Sequence, residues 1–251
     1  MTFEARLDDI SLLKECIGAI SDIIDECEMK IKHTGIQITS SDRAVVAVVD
    51  FFLSKDAFKE YNVDTEVNIG LNVVNFIQIL KRAMPDDKLR LKLEENKLKI
   101  IFSGSSTRSF TMPLIDVSKE EAPDMKKLEA GFSATFNVNT SVLNSGVEDA
   151  ELITDSIVFT LRKDQLALRA EGDSSSAHLE LPSGEGSLKI IDIGEPVRAR
   201  YSIDYLKKML KPRKMVENIT AQMATDYPLR LEYEVPNKVR LTFILAPRVE
   251  E

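Results

Sequence analysis

The sequence predicts an α+β protein made of two duplicated domains, each with antiparallel sheets and two helices. Residues 11–24 (SLLKECIGAISDII) return 130 residues later as residues 141–154 (SVLNSGVEDAELIT), with the same opening, length and apolar spacing. A second helical stretch repeats at the same offset, residues 71–81 (LNVVNFIQILK) against 201–211 (YSIDYLKKMLK). Asn72 matches Ser202, Val73 matches Ile203, Leu80 matches Leu210 and Lys81 matches Lys211. Most of the remaining chain is short runs of alternating apolar and polar residues bounded by turn residues. Many short strands with two helices per half give antiparallel sheets with the helices packed on one face.

In the first helix Leu13, Cys16, Ile17, Ile20, Ile24 and Cys27 fall at i, i+3, i+4, i+7, i+11 and i+14. That is one stripe on a 3.6-residue period, so one face is buried and the other is open. The repeat keeps it as Leu143, Gly146, Val147, Ala150 and Ile153. Residues 2–7 alternate Phe3, Ala5 and Leu7 with polar residues and read as a leading strand, with Asp8, Asp9 and Ser11 as cap candidates. Residues 30–39 read as a hairpin turning at His33-Thr34-Gly35, and 45–53 (VVAVVDFFL) as a buried strand. A short strand at 66–70 leads to the second helix, whose core face is Val73, Phe76, Ile77 and Leu80. A hairpin over 89–100 and a strand at 107–114 close the first half.

The second half repeats the order: a strand at 132–138, the helix from Ser141, a hairpin of 157–161 with 166–170, strands at 177–181 and 195–200, the helix from Ser202, and a hairpin of 229–235 with 239–243. The domains are placed at 1–116 and 132–251. The segment 117–131 between them is polar and charged, contains Pro123, and is long for a loop. It reads equally well as a tether or as a binding element.

At 251 residues either half can bury a core. The chain is 43% hydrophobic and 29% charged, and no run approaches the ~20 apolar residues of a membrane helix. The opening MTFEARLDD carries acids where a secretory signal carries a basic and then an apolar run, so a cytoplasmic location is expected. Cys16 and Cys27 are eleven residues apart. On one continuous helix that spacing is on the order of 16 Å of rise, against the ~7 Å a disulfide spans, so buried free thiols are expected. The net charge of −8 argues against nucleic acid only in sum, because a local patch of opposite sign still binds phosphates.

Catalytic constellations are thin. The two histidines, His33 in a turn and His178 in a strand, have no metal-type partner at a motif spacing, and no metal or cofactor is expected. No phosphate-binding loop, dinucleotide fingerprint or nucleophile elbow occurs. The acidic pairs Asp8/Asp9, Asp86/Asp87, Glu94/Glu95 and Glu120/Glu121 fall in turns or caps, where solvated carboxylates are ordinary. No enzyme is implied. The open helix faces say more. They offer Lys14 with Gly18 and Ser21 on the first helix, and Gln78, Lys81 and Arg82 on the second. The fourth offers Lys207, Lys208 and Lys211, opposed by Asp204. On the third, Asn144, Glu148, Asp149 and Glu151 stand in place of cations. Cations at matching repeat positions in a net-acidic chain form a positive surface suited to non-specific attraction of phosphates; the alternative is a set of solvated faces.

Leu114-Ile115-Asp116 before the central segment, the segment 155–168, and the ending Tyr227-Pro228-Leu229 … Leu245-Ala246-Pro247-Arg248-Val249-Glu250 closely resemble the sliding clamps of the proliferating cell nuclear antigen type. The ILAPRVEE terminus looks like the archaeal members. The resemblance covers the whole chain. It implies a homotrimeric ring whose helices line a pore around duplex DNA, with the sheets outside. It assigns Lys14, Lys81, Arg82, Lys207, Lys208 and Lys211 to phosphate contact. The third helix, basic in many relatives, is acidic here. Ring closure would join Thr107, Arg108, Ser109, Phe110, Thr111 and Met112 of one chain to Ser175, Ser176, Ala177, His178 and Leu179 of the next.

DNA polymerase, clamp loader, flap endonuclease and DNA ligase would dock short apolar peptides in a pocket drawn from Val46, Met125, Leu128, Pro228, Leu245, Ala246, Pro247 and Val249. Ser41 replaces a larger apolar residue, which implies a shallower pocket there. The reading is thus a non-enzymatic processivity clamp. The alternatives are one subunit of a heterotrimeric or checkpoint-type clamp and, distantly, an enzyme with an unrecognised carboxylate site.

Overall fold

The structure is a computed structural model that describes residues 3–117, 128–184 and 186–249. Contacts gather the chain into two units. One takes Met1–Arg43, Val49–Ala122 and Glu234–Leu241, and the other takes Ala44–Val48, Pro123–Tyr233 and Thr242–Glu251. The first half of the chain runs β1 (Phe3–Leu7), α1 (Ser11–Ile20), β2 (Glu26–Lys32), β3 (Gly35–Ser41), β4 (Ala47–Ser54), β5 (Glu60–Val63), β6 (Val67–Asn72), α2 (Val73–Leu80), β7 (Lys88–Glu94), β8 (Lys97–Ser103) and β9 (Thr107–Pro113). The second half runs β10 (Ala134–Asn139), α3 (Thr140–Glu151), β11 (Ser156–Leu161), β12 (Gln165–Glu171), β13 (Ser176–Pro182), β14 (Leu188–Ile193), β15 (Val197–Ser202), α4 (Ile203–Met209), β16 (Asn218–Met223), β17 (Leu229–Val235) and β18 (Val239–Leu245). The two halves list the same elements in the same order.

In the first unit β5-β1-β7-β8-β9 form one sheet, and β4, β3, β2 and β6 lie side by side in another. In the second unit β13-β12-β11-β15 form one sheet, and β14, β10 and β16 follow one another in another, continued by residues 229–233 of β17 and 242–245 of β18. The pairs are antiparallel, with in-step registers such as Leu91↔Ile100 and Phe159↔Leu168. Alternation is what fixes them: Leu89, Leu91 and Leu93 of β7 are buried, as are Leu98, Ile100 and Phe102 of β8, so a one-residue slip would turn each set to solvent.

The helices bury their stripes. Leu13, Cys16, Ile17 and Ile20 of α1 and Val73, Phe76, Ile77 and Leu80 of α2 are all within a few per cent of full burial. Each large side chain among them gains roughly 1.5–3 kcal/mol by leaving water. Asn72 caps α2 by accepting the Asn75 N–H (2.8 Å), and Asn139 caps α3 by accepting the Ser141 and Val142 N–H groups (both 3.1 Å). Asp9 caps one residue outside α1, accepting the Ser11 N–H at 2.9 Å. The hydroxyl and backbone N–H of Ser11 hold its carboxyl below the usual carboxylate range. Gly146 lets α3 close on its sheet, since a Cβ there would sit 2.5 Å from Leu179 Cδ2.

Several elements differ from the sequence reading. The first helix ends at Ile20, so Cys27 is not on its stripe. It lies on β2, buried by strand alternation instead. Both thiols are free and buried, and burial pushes Cys27 up to about 12 and Cys16 upward as well. β4 starts at Ala47, because Val45 sits exposed in a turn with φ 54°. Leu71 and Tyr201 belong to strands β6 and β15, which end at Asn72 and Ser202, so the helices start at Val73 and Ile203. α4 stops at Met209, ahead of Pro212, which lacks the N–H that would continue it. Asn144, read on the open face of α3, is buried. β5, β14 and β16 are strands that the sequence reading does not contain; β14 has four apolar residues out of alternation, of which Leu188 alone is buried, whereas β16 buries Ile219, Ala221 and Met223.

The β2–β3 turn is tight, pairing Lys32 with Gly35. Gly35 has φ 147°, and a Cβ on it would lie 2.2 Å from the Leu53 carbonyl oxygen. Gly35→Ala is therefore expected to cost about 2–3 kcal/mol, read as a lower midpoint in urea unfolding. An unchanged midpoint would show that the turn relaxes freely.

Candidate functional site

Three groups of residues were singled out by the sequence, and the structure places each. The first is the cations of the helices. In the first unit Lys14 is half-exposed on α1, Lys81 is exposed at the C-cap of α2, and Arg82 follows it, exposed. Among the described residues no carboxylate pairs with these three side chains. In the second unit the situation is different. Lys207 Nζ lies 2.6 and 2.7 Å from the two carboxylate oxygens of Glu151, and Lys208 Nζ lies 2.7 Å from Asp204 Oδ2 and 5.1 Å from the Tyr205 ring centre. Lys211 opens the short 3-10 turn Lys211–Lys214 and is exposed. The sequence missed the Glu151–Lys207 pair. Its partners are 56 residues apart, and the one available signal was that acids replace cations on α3.

The second group is two sheet edges. β9 ends the five-stranded sheet and β13 ends the four-stranded one, so each presents a row of unpaired backbone groups. Their burial alternates identically, from exposed Thr107 and Ser176 through half-buried Phe110 and Leu179 to buried Met112 and Leu181, and each ends at a proline. Ser109 and Thr111 are exposed on β9, Ala177 is half-buried on β13, and Ser175 stands one residue before that strand, accepting the Gly172 N–H. Phe110 packs edge-on to Phe102 with ring centres 5.9 Å apart. Arg82, Ile79 and Phe110 share a cavity of about 320 Å³ between α2 and β9.

Arg108 does not project freely from β9. It is ion-paired with Asp87, donates to the Arg82 carbonyl (2.9 Å) and lies over the Phe102 ring. Asp87, read as an ordinary solvated turn carboxylate, is instead 4% exposed and also accepts the Met84 N–H at 2.7 Å. His178 is 3.6 Å from Glu180, and His33 sits in the β2–β3 turn, its N–H donated to Glu66. Among the described residues no group of three or more His, Cys, Asp or Glu could hold a metal ion, and no helix is long and apolar enough to cross a membrane.

The third group lies in the second unit. Ala246 N–H donates to the Val46 carbonyl (2.8 Å), and Arg248 N–H donates to the Arg200 carbonyl (2.7 Å) while its guanidinium holds Asp155 (2.9 Å). The chain end is thus tied down on both sides. Ala246 and Pro247 are half-buried and Val249 is exposed. Leu245 is fully buried and can act only from beneath. Leu128 and Pro228 meet around Tyr227, whose O–H donates to the Leu128 carbonyl (3.2 Å), whose carbonyl accepts the Tyr201 O–H (2.9 Å), and whose ring meets Phe132 edge-on. Met125 lies outside the described residues.

A duplicated α+β chain with cation-bearing helices and two unmated sheet edges is the class of protein these observations define. Comparison with known proteins is specific. Residues 2–121 match the family model for the proliferating cell nuclear antigen N-terminal domain, and residues 127–248 match that for its C-terminal domain. The DNA polymerase sliding clamp of Thermococcus gammatolerans is 34% identical over 252 residues, covering all of both chains. That of Pyrococcus horikoshii is 34% identical over 254 residues, again with full coverage. The crystal structure of the proliferating cell nuclear antigen from Thermococcus kodakaraensis superposes with a TM-score of 0.89 at 26% identity, covering 98% of this chain and all of that one. The chain belongs to the proliferating cell nuclear antigen family.

The Asp87–Arg108 pair gives this region its own test. Asp87→Ala leaves a largely buried guanidinium without its anion and is expected to cost about 2–4 kcal/mol in urea unfolding. A loss within experimental error would mean that water replaces the carboxylate.

Proposed function

We propose that this chain is a DNA sliding clamp, a non-enzymatic intracellular ring of three identical copies that encircles duplex DNA and tethers DNA polymerase and other replication proteins to it. The reading takes residues 1–116 and 132–251 as its two clamp domains and 117–131 as the segment connecting them. One observation carries it. Within the first unit Ser54 N–H, at the end of β4, donates to the Lys238 carbonyl just before β18, and within the second unit Ala246 N–H, just after β18, donates to that of Val46 just before β4. β9 holds the same place in the first half that β18 holds in the second, and β13 holds the place of β4. Backbone bonding of the kind these two pairs make is thus available to β9 of one copy and β13 of the next. A head-to-tail contact of this kind closes into a ring when the rotation allows.

In that ring the helix faces that carry Lys14, Lys81, Arg82, Lys207, Lys208 and Lys211 turn toward the duplex, and a cation contacts phosphate to the extent that no carboxylate already holds it. Contacts that are few, electrostatic and blind to sequence suit a protein that must slide, because base-specific contacts would fix it at one site. Partner proteins (polymerase, clamp loader, flap endonuclease and ligase) would lay a short apolar peptide against Val46, Leu128, Pro228, Ala246, Pro247 and Val249, with Leu245 as the floor and Met125 contributed by the connecting segment.

Light scattering is expected to give about 85 kDa, three times the 28.2 kDa chain. A 28.2 kDa species at micromolar concentration would replace the homotrimer with a subunit of a mixed ring. Separately, Ala246→Arg is expected to weaken binding of a polymerase-derived apolar peptide by at least tenfold while leaving the mass unchanged. Equal peptide affinity would move the docking site elsewhere.

A further inference from the structure

The two units hold their helix cations in different states. In the first, no described carboxylate pairs with Lys14, Lys81 or Arg82. In the second, Glu151 grips Lys207 through both oxygens, at 2.6 and 2.7 Å, and Asp204 holds Lys208 at 2.7 Å. Both pairs are solvent-accessible, with side-chain exposures of 41% and 47% for Lys207 and Glu151, so a passing phosphate could reach the ammonium. Reaching it would mean displacing a carboxylate already seated on two hydrogen bonds. From beyond a few ångströms the pair acts as a dipole with no net charge, and Glu148 and Asp149, both exposed on α3, add further negative field.

We infer that Glu151 is a charge-setting residue of the clamp: it holds Lys207 out of phosphate contact, so that duplex DNA is gripped by the cations of the first unit and only loosely by α3 and α4. This rests on the reading that the open helix faces meet DNA. It gives the acidic third helix a role. With the cations of α3 and α4 matched or outnumbered by acids, the ring's attraction for DNA falls while its shape stays the same. Weaker attraction lowers the energy barriers that a sliding ring crosses from one phosphate to the next.

The test is the salt dependence of binding between the intact clamp and a short duplex, between about 50 and 200 mM salt, where each phosphate contact contributes a slope near 0.9 and so a three- to fourfold loss. Lys81→Gln is expected to flatten the slope by about one contact per subunit engaged, whereas Lys207→Gln in the otherwise unaltered protein flattens it less. Glu151→Gln is expected to steepen the slope by about one contact per subunit engaged, and adding Lys207→Gln restores the original value. Glu148→Gln removes the same charge from the same helix without releasing a lysine, and it should steepen the slope less. The proposal is overturned if Lys207→Gln flattens the slope as much as Lys81→Gln, or if Glu148→Gln and Glu151→Gln act alike. If Lys81→Gln and Lys207→Gln both leave the slope unchanged while Glu151→Gln changes nothing, the DNA-facing reading of the helices falls with it.

Discussion

Each helix of this protein has one apolar stripe, and burying that stripe against a sheet is the constraint from which the rest follows. A stripe such as Val73, Phe76, Ile77 and Leu80 can face only one way, so the opposite face of α2 is committed to solvent or to a ligand. The sheets obey the matching rule with a period of two, which fixes registers such as Leu91↔Ile100 and leaves the last strand of each sheet with unpaired backbone. Open helix faces and open sheet edges are thus two products of the same packing. A monomer gains nothing from the unpaired edges of β9 and β13, and the ring proposed above would use both.

The charges sit on that frame according to a simple division. Where a cation steadies the fold it is paired and sheltered, as Arg108 is with Asp87, Arg82 O and Phe102. Where no described carboxylate pairs with it, it lies on an open helix face, as Lys14 and Lys81 do. Lys207 and Lys208 fall between these cases, exposed but matched with acids from α3 and from α4 itself. Exposed pairs of this kind stabilise a fold by only about 0–1 kcal/mol, so their main effect is on the field that a ligand meets. A protein with a net charge of −8 can hold a polyanion in this way without binding it tightly.

The chain end shows the same economy. Arg248 is tied by its backbone to Arg200 and by its side chain to Asp155, and Ala246 is tied to Val46. These bonds hold a short apolar segment at the surface with only Leu245 fully withdrawn into the core. An extended peptide laid against such a segment meets side chains already fixed in place, which reduces the ordering cost of binding.

The sequence by itself determined the duplication, the α+β class, the core faces of α1 and α2 and most of the strands, because all of these rest on local periodicity. The residues named for the two edges and the chain end came from the resemblance to the clamps and not from periodicity. Three-dimensional packing decided where α1 gives way to β2, since Cys27 suits a helical stripe and a strand alternation equally well. It decided that Asp87 is a buried partner and Asn144 a buried residue, because burial depends on neighbours remote in sequence. It also decided which lysines are matched by acids. Glu151 and Lys207 are 56 residues apart, and only the packing of α3 against α4 brings their charges within hydrogen-bonding distance.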